Sequence, residues 1–538
     1  MKRRSFSKVL SGLMVLALSA ALCGCGGGKT AETSASDNTS SEQTTEASND
    51  QTEAAATEGA ATEGAATEDG GCLVFGMTQE VSSVDPHMDT DAATRSVLFN
   101  IFEGLVKPTS TGDLIPAVAS EYIISEDAKT YTFTLRDGIK FHNGDAVTVE
   151  DIKYSLERSA EIDGEASALS VISEINLPDE KTVEIVLAEP NSEFIYNLTI
   201  AVLQEANDAN QATAPVGTGP FALTEFKIGQ YILMDKFADY WNQEIDYIDQ
   251  AKVKFIKDAD AAFLELQGGS IDGIQYLTYD QVSTLGDDFE VIQGTMMLVH
   301  GMFLNNSVEP LSNVTVRQAI NYAIDRDEIN AQLFNGQSMI TNTHGYPLIT
   351  AWYNPDTEGT YTYDPEKAKA LLAEAGYENG FDLVITVPSS YTQHMNTAQI
   401  IVEELSAVGI NATINGVEWA DWLSGTYQGR DYQATIIGFD ISSLSPATWY
   451  KRYYSTSSNC MTNFNNADYD ALYEQAIATV DFDEKFELYS QMQAILADQA
   501  ASVFIEDPAD FVALSKKFTG YKFYPVSAID FSQVQYAK

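Results

Sequence analysis

Thr130 to Leu135 alternates polar and apolar positions one by one (Thr-Tyr-Thr-Phe-Thr-Leu), which is the period of a half-buried strand. Cys72 to Gly76 is a short apolar run and reads as a buried strand, and Gln433 to Gly438 reads as another. Helical spacing takes over in Ala92 to Leu105, after a loop closed by Val84-Asp85-Pro86-His87. It returns in Val316 to Ile324, where Val316, Ala319, Ile320 and Ala323 recur on one face and predict a helix against a core. Arg317, Asp325 and Arg326 around that helix are expected to form structural ion pairs. Punctuation agrees with these periods. Arg136-Asp137-Gly138 and Asn143-Gly144 supply easy positive φ for turns. Thr148 is placed to cap a helix, with Asp151 where a capping box has Glu or Gln, and Asp364-Pro365 reads as a cap followed by proline at the first helical position.

The two ends of the pattern are different in kind. Lys2, Arg3, Arg4 and Lys8 precede an apolar stretch, Val9 to Leu22, that is short for a membrane span and has the flanks of an export signal. It ends in Leu22-Cys23-Gly24-Cys25, which resembles a bacterial lipobox with Cys25 as the lipidated residue, so 1–24 is expected to be a lipoprotein signal peptide. Residues 26–71 are Gly, Ala, Ser, Thr and Glu with almost no large apolar side chain. Such a segment cannot bury enough surface to offset chain entropy, so 25–71 is expected to be a lipidated cysteine and a disordered acidic linker. A flexible tether of this length has a root-mean-square span of roughly 35–40 Å.

Charge then removes whole classes of function. The formal charge is −48, and losing the leader with its four cations makes it more negative still. A chain this acidic has no basic face with which to neutralise phosphates, so nucleic acid is excluded as a partner. Five scattered histidines (His87, His142, His300, His344, His394) form no metal-ligand spacing and are expected to be surface or packing residues. There is no Gly-x-Ser-x-Gly elbow. Gly217-Thr218-Gly219-Pro220 lacks the Lys-Ser/Thr of a phosphate loop and suits a chain reversal between lobes. No enzyme and no cofactor are expected. Cys72 and Cys460 leave both pairing and free thiols open.

Several ordered blocks carry a resemblance: Phe102-Glu103-Gly104-Leu105, Leu114 to Ala119, Tyr131 to Gly144, Thr148 to Arg158, Pro215 to Phe221, Val316 to Arg326, Tyr363 to Tyr377 and Asn465 to Asp470. In this order they resemble the oligopeptide/dipeptide/nickel-binding family of ABC-importer solute receptors. That resemblance implies an α/β, three-lobed periplasmic-binding-protein-like fold, two main lobes closing over a central cleft plus an extra lobe. Lobe I is expected at 72–103, 216–300 and 510–538, lobe II at 104–215, and lobe III at 301–509. It also implies a monomer, anchored to the outer face of the cytoplasmic membrane, that hands a small ligand or peptide to the permease subunits of an ABC importer. A short peptide is the first expectation; an oligosaccharide, a nickel chelate, haem or a signalling role is the alternative.

In the family resembled, a peptide lies between lobes I and III as an added strand, its side chains in tolerant pockets. An Asp that pairs with the peptide ammonium usually precedes a proline in the lobe III wall. Here the stretch reads Gly438-Phe439-Asp440-Ile441-Ser442-Ser443-Leu444-Ser445-Pro446, with Ser445 in the place of that Asp. Asp440, Phe439, Ser445 and Trp419 on this wall, and Asp89 and Thr90 in a lobe I loop, are therefore the candidate ligand contacts. Trp422 is expected, with Trp419, to line the pocket and stack on a ligand face, and Trp449 and Tyr450 are expected in the core.

Overall fold

The computed structural model describes residues 71–81, 83–88, 91–163, 167–441 and 443–538. Cys25, Asp89 and Thr90, with the expected export signal and nearly all of the expected linker, lie outside the described residues. The architecture is α/β and lobed, with three main sheets.

The first sheet has seven strands in the order Phe289–Thr295, Ala509–Ser515, Gly273–Leu277, Leu73–Met77, Gln250–Phe255, Tyr231–Lys236 and Phe221–Lys227. Leu73–Met77 runs parallel to both neighbours at its centre. Its faces feed two clusters: Phe75, Val512 and Leu514 on one side, Phe511 and Ala513 on the other. The second sheet has six strands: Met339–Ile340, Val503–Asp507, Leu298–Leu304, Ala434–Asp440, Asp382–Pro388 and Asn411–Val417. Here too alternate residues divide between clusters. Val299, Phe303 and Phe439 join an aromatic-rich core, whereas Met302, Leu304 and Ile436 join an aliphatic one. Burial on both faces is why these strands read as apolar runs with no alternation. The third is a four-stranded antiparallel sheet of Ala119–Ile124, Thr130–Leu135, Thr182–Leu187 and Ile172–Asp179, covered on one face by the helix Val149–Asp163. Its alternation was visible in Thr130 to Leu135, whose burial also alternates.

Local signals are realised closely. Thr148 and Asp151 bond reciprocally as a capping box, and Asp364 caps Pro365–Glu374 with Pro at the start. Three expectations are corrected. The helix predicted over 92–105 ends at Leu98, because the chain beyond it packs backbone to backbone: a Cβ on Gly104 would lie 2.5 Å from the Leu198 carbonyl. The strand predicted at 433–438 runs on to Asp440, which pairs with Leu298, so Phe439 and Asp440 are strand residues. Arg317 and Arg326 are buried and bind carbonyls in place of carboxylates. Arg317 donates to Leu311, Ser312, Gln499 and Ala500, and Arg326 to Phe504 and Asn321. Asp325 caps the following helix through Glu328 N.

The chain passes between the seven- and six-stranded sheets twice, through Met296-Met297 and through Pro508. The Met296 amide donates to the Pro508 carbonyl at 2.8 Å, so the crossings are tied together. Gly217 and Gly219 lie where the chain returns to the first sheet. Cβ atoms there would fall 2.0 Å from Ile101 O and 2.5 Å from Asn100 O, which explains the glycines by close approach alone.

Candidate functional site

A cavity of about 380 Å³ is lined by Pro86, His87 and residues between Arg95 and Pro108, by Ser159 and Asp163 of the helix on the four-stranded sheet, by residues of 196–201, by Ile441, Ser443 and Leu444 after Ala434–Asp440, and by Val526 and Ser527. Leu98, Phe99, Phe102, Ile200 and Leu444 give it an apolar wall. Its charged lining residues are Arg95, Glu103, Lys107 and Asp163. Glu103 is fully engaged, accepting from Lys107 Nζ at 2.9 Å, Tyr240 Oη at 2.7 Å and Trp241 Nε1 at 2.9 Å. Volume and lining match the usual small-ligand pocket, about 300–1,000 Å³ of mostly apolar wall with few polar groups.

Among the described sequence candidates, Asp440, Trp419, Phe439 and Ser445, none is a lining residue of this cavity. Asp440 is exposed at the end of its strand, one residue before the cavity-lining Ile441, and has no side-chain hydrogen bond among the described residues. Trp419 is 41 % exposed and stacks on buried Trp422 at 5.1 Å, with Tyr391 edge-on at 5.5 Å. Trp422 is fixed by a bond from Nε1 to Thr435 Oγ1 at 2.9 Å. Phe439 is buried in the aromatic core, edge-on to Phe303, with the Arg452 guanidinium 4.0 Å from its ring centre. Trp449 and Tyr450 are core residues, as expected.

Ser445 is buried, and its hydroxyl donates to Glu193 Oε2. That bond belongs to a latch the sequence did not announce. Glu193 Oε2 also accepts from the Ala447 amide at 2.9 Å, Oε1 accepts from Tyr489 Oη at 2.5 Å, and Lys485 Nζ stands 4.0 Å away. Ser192 next to it donates both its amide and its hydroxyl to the Ile477 carbonyl. Ser192 and Glu193 follow the four-stranded sheet in the chain, whereas Ile477, Ser445, Ala447, Tyr489 and Lys485 belong to the body of the six-stranded one. The position that the resemblance led us to expect as an acid is thus occupied by a hydroxyl that serves an acid from another body.

At the crossings, Asp507 Oδ1 accepts from Leu298 N at 3.0 Å and Oδ2 from Thr295 Oγ1 at 2.8 Å. Burial pushes its pKa up to about 7, and that of neighbouring Glu506 to about 8. Glu506 lies 3.4 Å from His300 Nδ1, and His300 Nε2 lies 3.2 Å from His394 Nδ1. Burial lowers His300 to about 4 and His394 to about 3. Burial thus disfavours the charged forms of both Glu506 and His300, so the contact is a hydrogen bond between neutral groups. These histidines are packing residues. Cys72 and Cys460 are both free thiols.

Comparison with known proteins places this arrangement. Residues 113–460 match the profile of the bacterial extracellular solute-binding proteins, family 5, middle region. The chain belongs to that family: it is a solute-binding receptor of an ABC importer, and the family works outside the cytoplasm. It is 27% identical over 450 residues to heme-binding protein A of Haemophilus influenzae, covering 76% of this chain and 82% of the relative. It is 28% identical over 467 residues to the dipeptide-binding protein of Escherichia coli, covering 79% and 86%. The solved structure of HbpA2 from Haemophilus parasuis superposes with a TM-score of 0.80 at 23% identity, over 87% of this chain and all of the other. Among the described residues no helix is long and apolar enough to cross a membrane.

Proposed function

We propose that this receptor captures short peptides and is held at the membrane by a lipid on Cys25, with 26–71 as its tether. The observation that supports a peptide is the cavity itself. It is about 380 Å³, apolar along most of its wall, and bordered by the strand end at Asp440. An extended ligand can lie in such a cavity while its side chains enter loosely selective space. The relative named for dipeptides adds weight. The three sheets with their helices act as three lobes, and closure brings the cavity walls together about the crossings at 296–297 and 508. The protein works as a monomer and catalyses no reaction. A planar ligand is the second reading, favoured by the half-exposed Trp419 stacked on Trp422.

Native mass spectrometry of the protein purified from its own host tests both readings. A ladder of peptide masses is expected; a single porphyrin, sugar or metal-chelate mass overturns the peptide reading. The same spectra, after detergent extraction, should show Cys25 as the first residue carrying a diacylglyceryl group. An unmodified or different first residue overturns the anchor.

A further inference from the structure

Glu193 does not line the cavity, yet it stands where two of the cavity walls end. The lining residue Tyr196 lies just downstream of it in the chain, and its partners Ser445 and Ala447 lie just downstream of the lining residues Ser443 and Leu444. Its mounting on the four-stranded body is firm. The Glu193 amide donates to Asn191 Oδ1 at 3.0 Å, the Asn191 amide to the Ala128 carbonyl at 3.0 Å, and Tyr131 Oη to the Asn191 carbonyl. Phe194 beside it is buried in the core under the four-stranded sheet.

The facing wall is pinned at both ends. The Ile441 amide donates to the Met297 carbonyl at 3.0 Å, on the first crossing, and Ser445 Oγ and Ala447 N donate to Glu193 Oε2. Between these points the Trp449 indole donates to the Ser443 carbonyl at 2.6 Å. This wall is therefore tied to the crossing at one end and to the four-stranded body at the other. Leu114 and Tyr196 close the same seam: both line the cavity, and both pack against the aromatic-rich core as well as their own. Apolar contact of that kind is non-directional, whereas the bonds at Glu193 fail once the walls part by about 1 Å.

We propose, resting on the lobe closure proposed above, that Glu193 is the clasp of this receptor: a positioning residue that touches no ligand, holds the cavity walls together and sets how fast a ligand escapes. The clasp also gives Ser445 a use. An aspartate at that position would set a second carboxylate against Glu193, and like charges at hydrogen-bond distance cannot both stay ionised there. A hydroxyl joins the walls where an acid would part them.

Two measurements on the mature protein test it. Small-angle X-ray scattering without ligand should give Glu193→Ala and Ser445→Asp a larger radius of gyration than the parent. Glu193→Gln, which keeps an acceptor for the Ala447 amide, should fall between them. In stopped-flow experiments with tri-alanine, Glu193→Ala and Ser445→Asp should dissociate at least about tenfold faster while association changes less than about threefold, since such changes fall mainly on the off-rate. A lower Tm with scattering and dissociation rate both unchanged makes the contact merely structural and overturns the clasp. If the parent does not bind tri-alanine, the peptide reading falls, and the scattering alone decides for or against the clasp.

Discussion

Glu193→Ala removes the acceptor of three hydrogen bonds and strands Lys485, whose side chain is 8% exposed. Charge-assisted bonds contribute about 1.5–3 kcal/mol each, but the hydroxyls of Ser445 and Tyr489 can find water once a cavity opens, so the terms do not add. Breaking a buried charge pair by deleting one partner costs about 3–5 kcal/mol, and the long Lys485 side chain can relax toward solvent, which favours the lower end. We expect about 3 kcal/mol. With an unfolding entropy of about 2.1 cal/mol/K per residue, a body of this size loses only about 3 °C in Tm. Hydrogen exchange is therefore the sharper assay. The Ala447 amide loses its acceptor and the Ser192 amide loses the neighbour that holds it on Ile477; exchange should rise roughly 100-fold at both, since 1.4 kcal/mol is a factor of about ten. Glu193→Leu with Lys485→Met should recover most of the loss, because apolar residues of similar volume replace a buried pair without stranded charge. Unchanged exchange at Ala447 and Ser192, with Tm within 0.5 °C, would refute the latch.

Two further outcomes follow from the crossings and the return segment. Asp507 has its pKa raised in the folded protein to about 7, so the folded state holds a proton that the unfolded chain releases near pH 4; its contribution is full below that and is lost as pH rises through 7. Urea denaturation from pH 5 to 7 should show Asp507→Asn declining less with pH than the parent, by up to about 1.4 kcal/mol per pH unit; identical slopes would contradict a protonated Asp507. Gly217→Ala sets a methyl 2.0 Å from the Ile101 carbonyl oxygen, an overlap that backbone must move to relieve, and should cost about 3 kcal/mol or more. A Tm equal to that of the parent would show that the approach of the two segments is looser than described.

What the sequence disclosed and what it hid divide by the range of the interaction. The strand Thr130–Leu135, the Thr148–Asp151 box and the Asp364-Pro365 cap are encoded within six residues, and they were read correctly. The apolar face of Val314–Ala323 was equally plain, yet its Arg317 was read as an ion pair because its carbonyl acceptors at Gln499 and Ala500 lie more than 180 positions on. Phe439 was placed on the ligand wall for a similar reason. A phenylalanine at a strand end looks alike in sequence whether it faces Phe303 or solvent. Glu193 carried no signal at all: one acid among many, its partners are over 250 residues away. The family resemblance agrees with the family match over 113–460, but it does not say which groups meet across bodies in this chain.

The tied crossings at 296–297 and 508 have a mechanical consequence. In the lobe closure proposed above, two short straps side by side, held by the bond from Met296 N to Pro508 O, would resist sliding and twist and permit swinging about one axle. Displacement then grows with distance from the axle, so groups beside Asp507 hardly travel while the outer rims travel farthest. Reporter pairs for lobe motion belong at those rims. In that closure a change at the axle itself, such as loss of the Asp507 proton, would be geared up along the full arm of the swing.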